Sequence, residues 1–216
     1  AVSTEERSLF EACLKEAESK LTYKVCWGRF PVRRTENSLD FGFFKTDSRA
    51  LMKNLEGCEE IIVFAATIGL EIDRLIRRYS SLSPAKALFF QAIGAERIES
   101  LCDAFCDDLK GKGLQLRPRF SPGYGDLPLE LQKDLFRVLD CPRKIGLSLN
   151  ESLLMSPSKS VTAIIGIGVV YILFRSLGKY YGSYFSAKWV KCSPQICKYL
   201  GITLLPQAGV ALGMCA

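Results

Sequence analysis

The 216-residue chain contains no histidine. That excludes histidine general bases, Ser-His-Asp triads and HExxH zinc sites, so any chemistry must draw on carboxylates, Lys, Arg, Tyr, Cys or a bound cofactor. No CxxC pair occurs among the cysteines at 13, 26, 58, 102, 106, 141, 192, 197 and 215. Zinc ribbons and thioredoxin-like sites are thereby removed, and buried free thiols of a reducing compartment remain as the reading. Acid is absent after Glu151: residues 1–151 hold 23 acids and 23 bases, while residues 152–216 carry six cations and no acid. The net charge of +6 thus belongs to the C-terminal part alone. The neutral larger part argues against a nucleic-acid partner, and so abrupt a change marks a boundary beyond residue 151. The opening stretch AVSTEERSLFEACLKEAESKL lacks the apolar core of a signal peptide, which points to a cytoplasmic protein. Length allows one substantial core, and neither an internal repeat nor a low-complexity tract is present.

Hydrophobic spacing predicts an amphipathic helix over residues 4–21, behind a Ser3/Thr4 cap with acids in its first turn. Alternation in YKVCWGRFPV and SLDFGFF predicts two short strands, and TDSRALMKNLEGC a capped helix ending at Gly57. The branched run EEIIVFAATIG reads as a strand buried on both faces, placed mid-sheet. LEIDRLIRRYSSL is a helix, followed by a long one opened by Ser83 and Pro84 and closed by Gly111 and Gly113. Leu88, Ala92, Ile98, Leu101 and Phe105 are its expected buried stripe. LPLELQKDLFRVLD reads as a further helix ending before Pro142, and KIGLSLN and SVTAIIGIG as strands or extended segments. Without a regular βαβ repeat, the order favours an α+β domain: a twisted mixed or antiparallel sheet with packed helices, plus a C-terminal apolar helical tail.

The loop RPRFSPGYGD, residues 117–126, concentrates special backbone and charge. Pro122 fixes one φ angle, Gly123 and Gly125 permit left-handed backbone and close approach, and Asp126 is placed to cap a helix starting near Leu127. Arg119 can hold a carboxylate or phosphate bidentately, and the Tyr124 ring offers a face to a base or a sulfonium cation. A tight connector with solvated arginines and a plain capping aspartate is the alternative, because a Pro-Gly loop is not a specific motif. Similarly, Thr67 and Gly69 in FAATIG belong either to a core strand and its turn or to a site wall, and Lys159 either to a ligand contact or to the surface.

RFSPGYGDLPLELQ, together with IIVFAATIGLEID and KIGLSLNESLLMSPSKSVTAIIGIG, resembles the activation (reactivation) domain of vitamin B12-dependent methionine synthase in its short stand-alone form. The likeness covers most of residues 1–167, and its most specific element is RxxxGY, met by Arg119, Gly123 and Tyr124. It implies an α+β fold and an S-adenosylmethionine site built from Arg119, Pro122, Gly123, Tyr124, Gly125 and an acid of the long helix, Glu99 or Asp103. Arg119 would engage the methionyl carboxylate, Gly123 would admit the ligand to the backbone, and Tyr124 would stack or hydrogen-bond. Implied partners are a cobalamin-binding methionine synthase module and a flavodoxin-like electron donor. The implied role is reductive methylation of oxidised cobalamin by a module that positions S-adenosylmethionine, a component of a methyltransferase with no catalytic acid or base of its own.

From about residue 168 the chain instead resembles part of the membrane domain of sodium/hydrogen exchanger-type antiporters, in RSLGKYYGSYFSAK and KYLGITLLPQAGVALG. The uncharged run 160–174 and the four-residue spacing of Gly178, Gly182 and Ser186 are compatible with membrane helices. An acid-free tail transports nothing by itself, and it leaves residues 168–216 as the only route to a membrane. The expected division is residues 1–167 and 168–216, the latter an antiporter-type fragment or a divergent tail. Two rival functions stay open: an antiporter fragment with a soluble extension, and a non-catalytic interaction domain that kept the fold and whose cleft would be occluded.

Overall fold

The computed structural model describes residues 4–168, which lie in a compact unit spanning residues 1–168. The antiporter-like segment and the apolar tail fall outside the described residues. The described chain is an α+β fold, as the element order predicts. Its elements are α1 (Thr4–Glu18), β1 (Lys24–Pro31), β2 (Arg33–Arg34), β3 (Leu39–Asp40), β4 (Lys45–Thr46), α2 (Arg49–Asn54), β5 (Cys58–Thr67), α3 (Glu71–Leu82), α4 (Pro84–Gly111), α5 (Gln132–Leu139), α6 (Cys141–Ile145), β6 (Ser148–Leu149), β7 (Met155–Ser156) and β8 (Ser160–Gly168).

The main sheet runs β1-β5-β8, with both pairings antiparallel. β5 sits in the middle, as its unbroken run of branched residues predicts: Ile61, Val63 and Ala65 enter one core, and Ile62, Phe64 and Ala66 the other. The first core also takes Leu51 and Leu55 from the α2 region and Leu135, Phe136 and Leu139 from α5. The second takes Cys13 of α1, Ile72 of α3, and Phe90 and Ile98 of α4. Along the outer edge of β8, Phe120 and Ile164 exchange backbone hydrogen bonds of 2.9 and 2.8 Å, and Arg117 N donates to Gly166 O at 2.9 Å. This ladder fixes where the loop after Phe120 leaves the sheet.

Several local expectations need correction. The first helix stops at Glu18 rather than residue 21. On α4 the C-terminal half of the expected stripe holds, with Ile98 buried and Leu101 and Phe105 packed on the core, but Leu88 is 68% exposed and Ala92 also faces solvent. Ala87, Phe90, Ile93 and Gly94 take their place. A stripe rotated by one residue fits 3.6-residue periodicity almost as well, and packing against α3 decides between them: a Cβ on Gly94 would meet Ile72 Cγ1 at 3.0 Å. The helix expected from Leu127 is a single 3-10 turn, Leu129–Leu131, running into α5, and Asp140 at φ 52° breaks the chain before α6. Within KIGLSLN only Ser148–Leu149 is strand, because Pro142 starts α6 and carries the helix through Ile145. No helix among the described residues is long and apolar enough to cross a membrane.

Candidate functional site

A cleft of about 690 Å³ opens beside the 117–126 loop, within the size range of small-molecule sites. α4 contributes Glu99, the loop contributes Arg119, Ser121, Pro122 and Tyr124, and the 3-10 turn and α5 contribute Leu129 and Gln132. The opposite wall is the β6–β7 turn, Leu153 to Met155, with Ser158 and the start of β8, Ser160 to Ala163. Charge is confined to Glu99 and Arg119, and the remaining lining is apolar or carries neutral hydroxyls and one amide.

Arg119 is tied down from α4. One of its terminal nitrogens, Nη2, donates to Glu99 Oε2 and to Asp103 Oδ1, both at 3.0 Å. Those acids lie one helical turn apart, so they face the same way, and the guanidinium bridges them. Beneath it, burial pushes the Cys102 thiol up to about 11, against the pull of the nearby Arg119 charge. Cys102 is therefore a neutral packing group at physiological pH. With Nη2 occupied, the guanidinium has other N–H donors left for an anionic group.

The loop has its own scaffold. Gly123 N donates to Leu127 O at 2.9 Å and Leu127 N to Tyr124 O at 3.0 Å, with Gly123 at φ 90° and Gly125 at φ 56°. Those left-handed angles suit glycine. A Cβ on Gly125 would meet Ala50 Cβ at 3.0 Å, and one on Gly123 would meet Leu129 Cδ1 at 3.3 Å. The open side of Gly125 thus faces α2, and the loop packs tightly on that helix.

Asp126 does not cap the segment starting at Leu127. Its carboxylate accepts from Arg49 N at 2.7 Å and Ala50 N at 3.2 Å, and also from the Ser48 hydroxyl, so it caps α2 across the fold. The Ser48 hydroxyl and those helix amides hold its pKa below the ordinary aspartate range. Ser48 Oγ in turn accepts from Leu51 N at 3.1 Å as the local cap of α2.

A solved structure shares this fold. It is a crystal structure of the MetH reactivation domain bound to AdoHcy, with a TM-score of 0.58 and 19% sequence identity. The match covers 75% of this chain and 65% of that one. No protein-family model and no curated protein matches the sequence.

Of the residues singled out in the sequence, Glu99, Arg119, Pro122 and Tyr124 are brought together on the cleft wall. Tyr124 is 62% exposed, with its ring edge-on to Phe120. Gly123 and Gly125 shape the loop behind that wall, and Asp103 reaches the site through Arg119. Thr67 and Gly69 follow the structural reading: Thr67 is buried, and its hydroxyl accepts from Gly69 N at 3.2 Å and bonds to Ser160 Oγ at 2.9 Å. Lys159 is half-buried, with its aliphatic stem against Gly94 of α4, and does not line the cleft.

Sequence reasoning missed Gln132 and the hydroxyl row Ser158, Ser160 and Thr162. The row has period two, the signature of one face of a strand, in front of an otherwise apolar run. Ser158 is fixed from α3, where Asp73 accepts its N–H at 2.7 Å and its hydroxyl at 2.5 Å. Leu153, at φ 62°, was not recoverable, since nothing about a leucine announces a left-handed turn. Among the described residues no group of acids and cysteines is arranged to hold a metal ion.

Proposed function

We propose that this chain binds S-adenosylmethionine in the cleft and presents its methyl group to a cobalamin held by a methionine synthase module, with a flavodoxin-like protein as electron donor. The observation that carries the reading is the placement of the RxxxGY loop: Arg119 and Tyr124 stand with Glu99 on the wall of one open, ligand-sized cleft. The AdoHcy in the structural relative supports the same ligand class, since AdoHcy is S-adenosylmethionine without its transferable methyl. An interaction domain that had lost its ligand would have an occluded cleft, and this one is open.

In this reading the ligand supplies the chemistry, because its methyl group is already activated on a positively charged sulfur. The protein supplies position. The free N–H groups of Arg119 take the ligand carboxylate, Glu99 takes its ammonium group, and the exposed Tyr124 ring covers it at the cleft mouth. Residues 1–167 are the functional unit in this reading.

Calorimetric titration of S-adenosylmethionine into the full chain tests the reading. Saturable binding is expected, weakened by about 1–3 kcal/mol in Arg119→Ala, the scale for a charged hydrogen-bond partner. A folded protein that takes up no ligand would overturn it.

A further inference from the structure

We infer that Gln132 is a ligand-reading residue whose side-chain amide recognises the adenine edge of the bound nucleoside. The inference rests on the S-adenosylmethionine reading for the identity of that nucleoside, but its starting point is independent of it. Gln132 opens α5, is only 3% exposed and lines the cleft, and its side-chain amide has no hydrogen-bond partner among the described residues. The Gln132 amide is not among the buried side-chain atoms sealed from solvent without a partner, so it opens to the cleft, where water or a ligand supplies its partner.

Its position on the helix sharpens the point. Residues 132, 135, 136 and 139 form the buried stripe of α5, and Leu135, Phe136 and Leu139 are the apolar members expected there. A glutamine at the fourth place breaks the pattern without a bond inside the protein to offset it. Local rules are broken in this way where function asks for it.

The chemistry of the amide narrows the ligand group. Glu99 and Arg119 already provide the charges that an amino-acid moiety needs, and Gln132 is the one amide on the wall. It offers a donor and an acceptor side by side with no net charge. Adenine presents the complementary pair, an amino donor beside a ring-nitrogen acceptor, which is the arrangement glutamine reads in nucleic acids. On the N6–N7 edge hypoxanthine has a carbonyl in place of that amino group and presents two acceptors side by side, which a single amide cannot match.

The test compares AdoHcy with S-inosylhomocysteine, which differ only in that substituent, by calorimetry on the full chain. Wild type should prefer AdoHcy by about tenfold or more, and Gln132→Met, similar in volume and without the amide, should lose most of that preference. Gln132→Glu keeps the shape but replaces the amide donors, and should also weaken AdoHcy. Melting temperatures establish that the variants are folded at the titration temperature. If folded Gln132→Met keeps the preference, or wild type binds both ligands equally, the amide is satisfied by water and the inference fails while the binding reading stands. If folded wild type binds neither ligand, the reading itself falls and takes the adenine assignment with it.

Discussion

Asp126 shows how a loop residue can act on a distant element. Its carboxylate accepts from the first amides of α2 and from Ser48, and these bonds favour the charged form. With the folded pKa below the unfolded one, the carboxylate stabilises the fold fully above about pH 4, the ordinary aspartate value, and the contribution disappears as pH falls through the lowered folded value. Asp126→Asn should therefore be less stable than wild type at pH 7, with the gap closing on acidification below about pH 4. Urea unfolding of both proteins at pH 7 and pH 3 checks this, and a gap that stays constant would show that the charge is irrelevant. At this scale the sequence was partly legible. Pro122, Gly123 and Gly125 announce a shaped loop because their chemistry is local; the bridge from Arg119 to Glu99 and Asp103 was not read, because those acids lie 20 and 16 residues back on α4. Nor was the target of Asp126, since Ser48 is 78 residues away in the chain, and a capping side chain reads the same whichever helix it serves.

Among the elements, strands were read more securely than the phases of helices. β5 and β8 declare themselves by runs of branched residues that only a doubly covered strand tolerates. α4 is 28 residues long, and its buried stripe depends on neighbours that the sequence does not place. Glycine in β8 reports the same kind of dependence. A Cβ on Gly166 would lie 2.7 Å from Cys58 Sγ and 2.8 Å from Leu55 Cδ2, with Arg117 Cγ at 3.1 Å. Gly166→Ala should accordingly destabilise the fold by about 1–3 kcal/mol, the usual cost of overpacking, and displace the 115–120 segment that pairs with β8. Because that segment carries Arg119, ligand affinity should fall as well. Chemical denaturation and titration of the same variant measure both effects. An unchanged midpoint would mean that the Cys58 and Leu55 side chains have room to move aside.

For the molecule as a whole, the decisive feature is that a single strand serves two cores. Alternate residues of β5 point into opposite clusters, so neither cluster can lose its shared wall while the other survives. Among the described residues, those between 13 and 167 cover both faces of the β1-β5-β8 sheet, and a chain of residues 1–168 is the one to test for independent folding. Such a chain should fold and unfold in one cooperative urea transition. It holds one tryptophan, Trp27 on β1, whose ring lies 6.3 Å from Phe105 of α4. Trp27 fluorescence therefore reports the α4 side of the sheet, whereas far-UV circular dichroism also registers α5 and α6 on the other side. Coincident transitions by the two probes are the expected result, and binding of S-adenosylmethionine should persist with the affinity of the full chain. Two separated transitions would mean that β5 does not couple the cores. Failure of residues 1–168 to fold would place part of the required packing outside them. The prediction is sharpest in Phe64→Ala, which empties a fully buried site on β5 against Phe105. Its cost, about 3–5 kcal/mol for a core phenylalanine, should move both probes together even though the lost ring touches only one core.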